Sequence, residues 1–282
     1  MSDEDLRALM DELETLHLML AAAVTPPFLV ELAGKKKFRY GTRGPRQAVV
    51  QKLAYALSLL NGSAVLIEAG FVQEAAVLGR VLDDVSEEVR FLCHALLVGD
   101  PGEIDPDGAD DIDKGVLSAQ GVLRKLLDNF YAEMIDDRTD TVGSLLRKRR
   151  PVGRRELRQA LEQLSAKILQ NAGAPTDSAA SLTRLSQAVG NFYHSYVHAG
   201  SPQIMESFGG SPPRFQVRGL LDTSLMAPHV ISFWQRIEKY VLGFQHAGMA
   251  FGLPQVAQRA RTLHGDTVVP HLAKLGSGLM TT

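Results

Sequence analysis

The sequence predicts an all-α protein, folded as a single-domain bundle of six to eight helices. Apolar residues recur at alternating three and four positions through most of its 282 residues, the spacing of one face of an amphipathic helix. No run of useful length alternates between apolar and polar residues, as a half-buried strand does. With 45% hydrophobic and 22% charged residues, the chain has the composition of a globular protein with a packed core.

Charge and cysteine content exclude several classes of protein. The net charge is −2 and 6% of residues are aromatic, so a nucleic acid or an anionic membrane would need a local patch. Cys93 is the only cysteine, which excludes an internal disulfide and a CxxC site. The N-terminus is acidic, and the weakly polar run at 53–67 is shorter than the ~20 residues of a membrane span. We therefore expect a cytoplasmic protein without a membrane partner.

The first part of the chain divides into a helix, a loop and two long helices. Residues 1–23 predict an N-terminal amphipathic helix, and residues 24–46 an irregular basic loop. The helical bundle domain is expected to span 47–282. It begins with a helix at 47–69 that is apolar all round, followed by a helix at 72–98 with one apolar stripe.

The second part of the chain predicts shorter helices joined by loops. An acidic loop at 100–113 holds seven carboxylates, but its glycine and glutamate are misplaced for an EF-hand calcium loop. The predicted helices follow at 114–135, 141–170 with an interruption at Pro151, 182–200, 224–251 and 254–264, and a frayed tail ends the chain.

Two of these helices carry a polar row beside the apolar stripe. The row on the helix at 182–200 contains Arg184, Gln187, Asn191, His194 and His198, and the row on the helix at 72–98 contains Arg80, Asp83, Glu87, Arg90 and His94. Each row has helical spacing, so its members share one face. Two interpretations stay open: a solvated face in which charges pair along the helix, or an interior polar site.

Two basic segments are candidates for binding phosphate. The first, at 35–46, has six basic residues and two aromatics, Phe38 and Tyr40, in twelve positions. The second, at 147–158, has seven basic residues in twelve positions, and its candidate ligand-binding residues are Arg149, Arg150, Arg154 and Arg155. Interleaved cations and aromatics suit a phosphate backbone and base stacking. An exposed basic loop or turn without a ligand is the alternative for each.

Two blocks resemble a bacterial helical family related to the HEPN (higher eukaryotes and prokaryotes nucleotide-binding) domains. The first block is AGFVQEAAVLGRVLDDVSEEVRFL and the second is YHSYVHAGSP, and the residues that match are Gly70, Glu74, Ala75, Ala76, Arg80, Asp83, Ser195, His198 and Gly200. In nuclease members of the HEPN group, an arginine and a histidine four to six residues apart flank the cleaved RNA phosphate, usually across a homodimer. This chain departs from that pattern, because Asn191 stands where the arginine is expected.

Three functions follow as alternatives. An interaction protein that binds RNA or a nucleotide through the basic segments is the first. The second is a HEPN-like endoribonuclease, in which His198 exchanges protons, Arg80 or Arg184 holds the phosphate, and Asp83 or Glu87 orients the imidazole. The third binds haem or a divalent metal through His94, His194 or His198.

Overall fold

The computed structural model describes residues 3–32, 35–99, 118–131, 152–173, 204–209, 214–221 and 226–279. The predicted helix at 182–200 and the acidic loop at 100–113 lie outside these residues. From the matched spacing of their polar rows, we expect the helix at 182–200 to pack on the helix at 72–98, and this stays a prediction.

The described residues confirm the all-α class. The elements are α1 (Asp3–Ala22), β1 (Phe28–Leu32), β2 (Lys35–Arg39), α2 (Pro45–Glu68), α3 (Val72–Val98), α4 (Ala119–Phe130), α5 (Arg154–Asn171), β3 (Phe208–Gly209), β4 (Arg214–Phe215), α6 (Met226–Ala250), α7 (Pro254–Leu263), a π-helical turn (His264–Val268) and α8 (Val269–Leu279). The helix α7, the π-helical turn and α8 follow one another without a break and form one continuous helix. Counted in this way, the described part of the chain holds seven helices.

The helices share one apolar core built around α2 and α3, which pack along each other. The three- and four-residue spacing in α1 places Leu13, Leu16 and Leu20 fully inside that core. On α6, Trp234 is buried as its apolar stripe predicts. Both α5 and α6 pack on α3, so α3 is enclosed from several sides.

By length and composition alone, α2 is the one helix among the described residues that would be able to cross a membrane. This is a weak indication, since core helices of globular proteins pass the same test. Here α2 packs against α1, α3 and α6.

The basic loop predicted at 24–46 contains a β-hairpin instead of irregular chain. Strands β1 and β2 pair antiparallel, with Leu29 opposite Phe38 and Val30 opposite Lys37. Each strand has only five residues, and three consecutive lysines interrupt the apolar alternation that would have identified β2. A second hairpin, β3 with β4, joins Phe208 to Phe215.

The frayed tail predicted after 264 is also helical, up to Leu279. Val268 is fully buried there, and Leu272 and Leu275 pack on the core. Pro270 cannot donate a backbone hydrogen bond, and the π-helical turn ends two residues before it. Burial of these apolar residues therefore stabilises the helix, although Pro270 disfavours helix formation locally.

Candidate functional site

The polar row of α3 lies inside the protein. Asp83 is 7% exposed and Glu87 is 8% exposed, although both are charged residues on a helix surface. Their partners are on other helices, so the solvated-face interpretation is wrong for these two residues. We call this row, its neighbours Asp84 and Glu88, and their partners on α2, α5 and α6 the interhelical charge cluster.

Asp83 binds two cations of α6. Lys239 Nζ donates to Asp83 Oδ1 at 2.8 Å, and Arg236 Nη2 lies 3.5 Å from Asp83 Oδ2. Arg236 is itself buried and also donates to Ser232 Oγ at 2.7 Å. A buried charge is stable only when it is paired and hydrogen-bonded, and this arrangement supplies both.

Glu87 binds two arginines of α5. Arg154 Nη1 donates to Glu87 Oε2 and Arg158 Nε donates to Glu87 Oε1, each at 3.0 Å. Arg154 also forms an ion pair with Asp84, which in turn pairs with Arg80 one turn earlier on α3. Two of the basic residues in the segment 147–158 therefore neutralise carboxylates of α3.

The start of α5 is fixed locally, which positions those arginines. Gly153 precedes the helix, and its backbone N–H donates to Glu156 Oε2 at 2.7 Å. Lys125 of α4 binds the same oxygen at 3.1 Å. This carboxylate occupies the first turn of α5, where the helix dipole favours negative charge.

A histidine pair lies further along the row. The rings of His94 on α3 and His246 on α6 are 5.3 Å apart in an edge-to-face arrangement, and His94 Nδ1 is 3.1 Å from Ser165 Oγ on α5. Burial, followed by His246 and Arg90, lowers the pKa of His94 to about 3. Burial and Arg90 lower the pKa of His246 to about 4. Both imidazoles are therefore neutral near pH 7.

The cluster carries more positive than negative charge. Its carboxylates are Asp83, Asp84, Glu87 and Glu88, and its cations are Lys52, Arg80, Arg90, Arg154, Arg158, Arg236 and Lys239. Among the described residues, seven cations thus face four carboxylates. Such a surplus favours an anionic ligand over a cationic one.

Several residues predicted as a site cannot be placed. Arg184, Asn191, His194, His198, Arg149 and Arg150 lie outside the described residues, so the nuclease and haem or metal alternatives that use them stay predictions. Arg155 is described and is exposed on α5. Within the described ranges, no three His, Cys, Asp or Glu side chains are grouped as metal ligands.

The sequence interpretation missed the contribution of α6. Ser232, Arg236, Lys239 and His246 are separated by four, three and seven positions, so they share one helical face. Its helical spacing is the sequence signal for this row, which lies on the same helix as the apolar stripe around Trp234. Three of these side chains reach α3: Arg236 and Lys239 bind Asp83, and His246 lies against His94. They are the partners of the α3 row on α6.

The hairpin β1–β2 presents a different surface. Phe38 is 66% exposed and Phe28 is 54% exposed, while Lys36 on the same strand as Phe38 is also exposed. Tyr40 is only partly exposed and packs on the core, and burial raises its pKa. Below the hairpin, Tyr131 Oη donates to the carbonyl oxygen of Gly44 at 2.7 Å. The hairpin is thus anchored at its base and open along its length.

Comparisons with models of protein families, with curated proteins and with solved structures give no match. The resemblance to the HEPN-related family therefore stays a prediction that depends on the two sequence blocks.

Proposed function

We propose that the protein is a helical interaction protein that binds single-stranded RNA through the hairpin β1–β2. The observation that carries the proposal is the exposed ring of Phe38, which lies on a strand between lysines and an arginine. Single-stranded nucleic acids bind where cations contact the phosphates and aromatic rings stack on the bases.

The pairing register supports a strand of nucleic acid as the ligand. Phe38 lies opposite Leu29 on one face of the hairpin, beside the pair Glu31 and Lys36. The other face carries Phe28 opposite Arg39. Each face therefore combines an apolar platform with a cation, and one stacked base contributes about 1–3 kcal/mol to such binding.

The hairpin is a better candidate than the basic segment at 147–158. Arg154 and Arg158 are already bound to carboxylates of α3, so their charges are largely neutralised. In the hairpin, Glu31 is the only carboxylate of either strand, against four cations, Lys35, Lys36, Lys37 and Arg39. The two strands therefore hold three more cations than carboxylates, beside the exposed ring of Phe38. We place this activity in the cytoplasm, because the one cysteine, Cys93, is buried and forms no disulfide.

Fluorescence anisotropy with a labelled single-stranded RNA tests the proposal. Phe38→Ala should weaken binding by about 1–3 kcal/mol, whereas Phe215→Ala, which removes another exposed ring on a hairpin, should leave binding unchanged. Replacing Lys36 and Lys37 with Gln should also reduce the salt dependence, by about 0.7 in log affinity per log salt for each phosphate that is no longer neutralised. Replacing the exposed Lys167 and Lys274 with Gln is the matched control.

Two results would contradict the proposal. One is equal binding by wild type and the Phe38→Ala variant, since stacking would then contribute nothing. The other is equal weakening in the two double-lysine variants, because binding would then depend only on the total charge of the molecule.

A further inference from the structure

We propose that Arg90, His94, His246 and Ser165 form a binding site for a small oxyanion, with inorganic phosphate as its simplest representative. His94 contacts Ser165 of α5 and His246 of α6, at the far end of the interhelical charge cluster from Asp83. Arg90 is one helical turn before His94 on α3, and its charge acts on both imidazoles. None of them belongs to the hairpin, so this site does not depend on the proposed RNA binding.

The first reason is the state of Arg90. Its Nε is buried, and within the described residues it has no hydrogen-bond partner. Glu87 is the carboxylate that acts on Arg90 electrostatically, and it also accepts from Arg154 and Arg158, so three arginines share its single negative charge. A buried N–H of a charged group is costly when it is left without an acceptor. An oxyanion supplies both the acceptor and the missing negative charge.

The second reason is the set of donors around it. When Ser165 donates to Nδ1 of His94, the proton of that neutral imidazole is on Nε2, which is then a donor. His246 adds a second imidazole within 5.3 Å of the first, measured between ring centroids. The guanidinium of Arg90 and the N–H groups of the two imidazoles match the oxygens of a phosphate or sulfate ion, while Ser165 orients the ring of His94.

The third reason is that the local charge disfavours a metal ion at the same histidine pair. Burial lowers the pKa of both imidazoles, and the positive charge of Arg90 lowers each pKa further. The same field that disfavours a proton on these rings disfavours a divalent cation beside them. An anion instead relieves that repulsion, so the local electrostatics select for negative charge.

The binding test is thermal unfolding of the full chain with increasing phosphate, against chloride at equal ionic strength. Phosphate bound only by the folded state should raise the Tm progressively with concentration. Arg90→Gln should lose that response, and its Tm without phosphate should stay near the wild-type value, because the variant removes a buried charge. Arg259→Gln, which changes an exposed arginine paired with Glu12, should keep the full phosphate response.

A second measurement keeps the test decisive if Arg90→Gln does not fold. Imidazole ¹⁵N and ¹H NMR shifts of His94 and His246 should move together and saturate with phosphate, while those of His17, on α1, should not. No change at the pair, equal shifts at His17, or an undiminished response in folded Arg90→Gln would each overturn the site.

Discussion

Gly79 lies directly against the side chain of Arg236, so that a Cβ atom at residue 79 would be 2.4 Å from the guanidinium carbon. The missing side chain on α3 makes room for Arg236 to reach Asp83 one turn further along. A glycine inside a helix normally costs about 0.5–1 kcal/mol relative to alanine. Here the glycine leaves the space that the guanidinium of Arg236 occupies in its interhelical ion pair with Asp83.

Gly79→Ala should therefore destabilise the protein, although alanine is the better helix former. The new methyl group must displace Arg236 from its position, and overpacking of this kind costs about 1–3 kcal/mol. Urea unfolding measures the change in free energy. Gly62→Ala is the matched control: its nearest contact would be Leu78 Cδ1 at 3.6 Å, an ordinary distance, so this variant should gain about 0.5–1 kcal/mol. Equal effects of the two substitutions would show that Arg236 moves without cost.

Asp83→Asn should remove most of the benefit of the interhelical ion pairs. The substitution keeps the shape of the side chain but removes the negative charge paired with the buried Arg236 and with Lys239, a loss of about 3–5 kcal/mol. Asp128→Asn, at an exposed position on α4, should change stability by less than about 0.5 kcal/mol. Chemical denaturation of both variants gives the comparison. A loss below about 1 kcal/mol for Asp83→Asn would mean that water solvates Arg236 in its place.

The position of Asp83 illustrates how much of this site the sequence predicts. Helical spacing identifies the α3 row and places its members on one face, because that depends only on residues close in sequence. Whether the face is buried depends on α5 and α6, which lie more than fifty residues away from α3 in the chain. The row on α6 that includes Arg236 was visible, but pairing it with α3 needs the packing geometry.

The hairpin shows the opposite case, in which local sequence was misleading. Lys35, Lys36 and Lys37 suggested an irregular basic loop, yet pairing with β1 makes them part of a strand. The backbone hydrogen bonds of a strand come from its neighbour, and a five-residue strand carries too few side chains to reveal its pattern. The sequence does indicate the basic and aromatic character of the segment, because that character depends on composition alone.

Stability should decrease in mild acid because of His94 and His246. Their pKa values in the folded protein, about 3 for His94 and about 4 for His246, lie below the usual 6.5. At a pH between the folded value and 6.5, each histidine therefore binds more protons in the unfolded chain than in the folded protein. Stability is therefore complete above about pH 6.5 and falls as the pH decreases towards 4, by about 1.4 kcal/mol per pH unit for each histidine. Urea unfolding at several pH values measures this slope. In His246→Gln this slope should be smaller by about 1.4 kcal/mol per pH unit, the contribution of one proton. An unchanged slope would show that the histidine pair is not responsible.

The last prediction concerns Tyr131, which connects α4 to the base of the hairpin. Its hydroxyl donates to the carbonyl oxygen of Gly44, the residue immediately before α2, and burial raises the pKa of the phenol. Tyr131→Phe should cost about 0.5–1.5 kcal/mol of global stability, because one partly buried hydrogen bond is removed. Since Gly44 follows β2 closely, the hairpin amides should lose hydrogen-exchange protection more than those of α3.

The comparison with Tyr55→Phe makes this prediction specific. Tyr55 is 52% exposed on α2, so removing its hydroxyl should leave both stability and hairpin protection within error of wild type.

In Tyr131→Phe, the hairpin should also bind single-stranded RNA more weakly, because a looser platform must be ordered on binding. If the hairpin amides of Tyr131→Phe lose protection while the affinity for RNA equals that of wild type, RNA binding does not depend on the hairpin and must occur elsewhere on the protein. Unchanged exchange in β1 and β2 would instead show that Tyr40 alone holds the hairpin on the core.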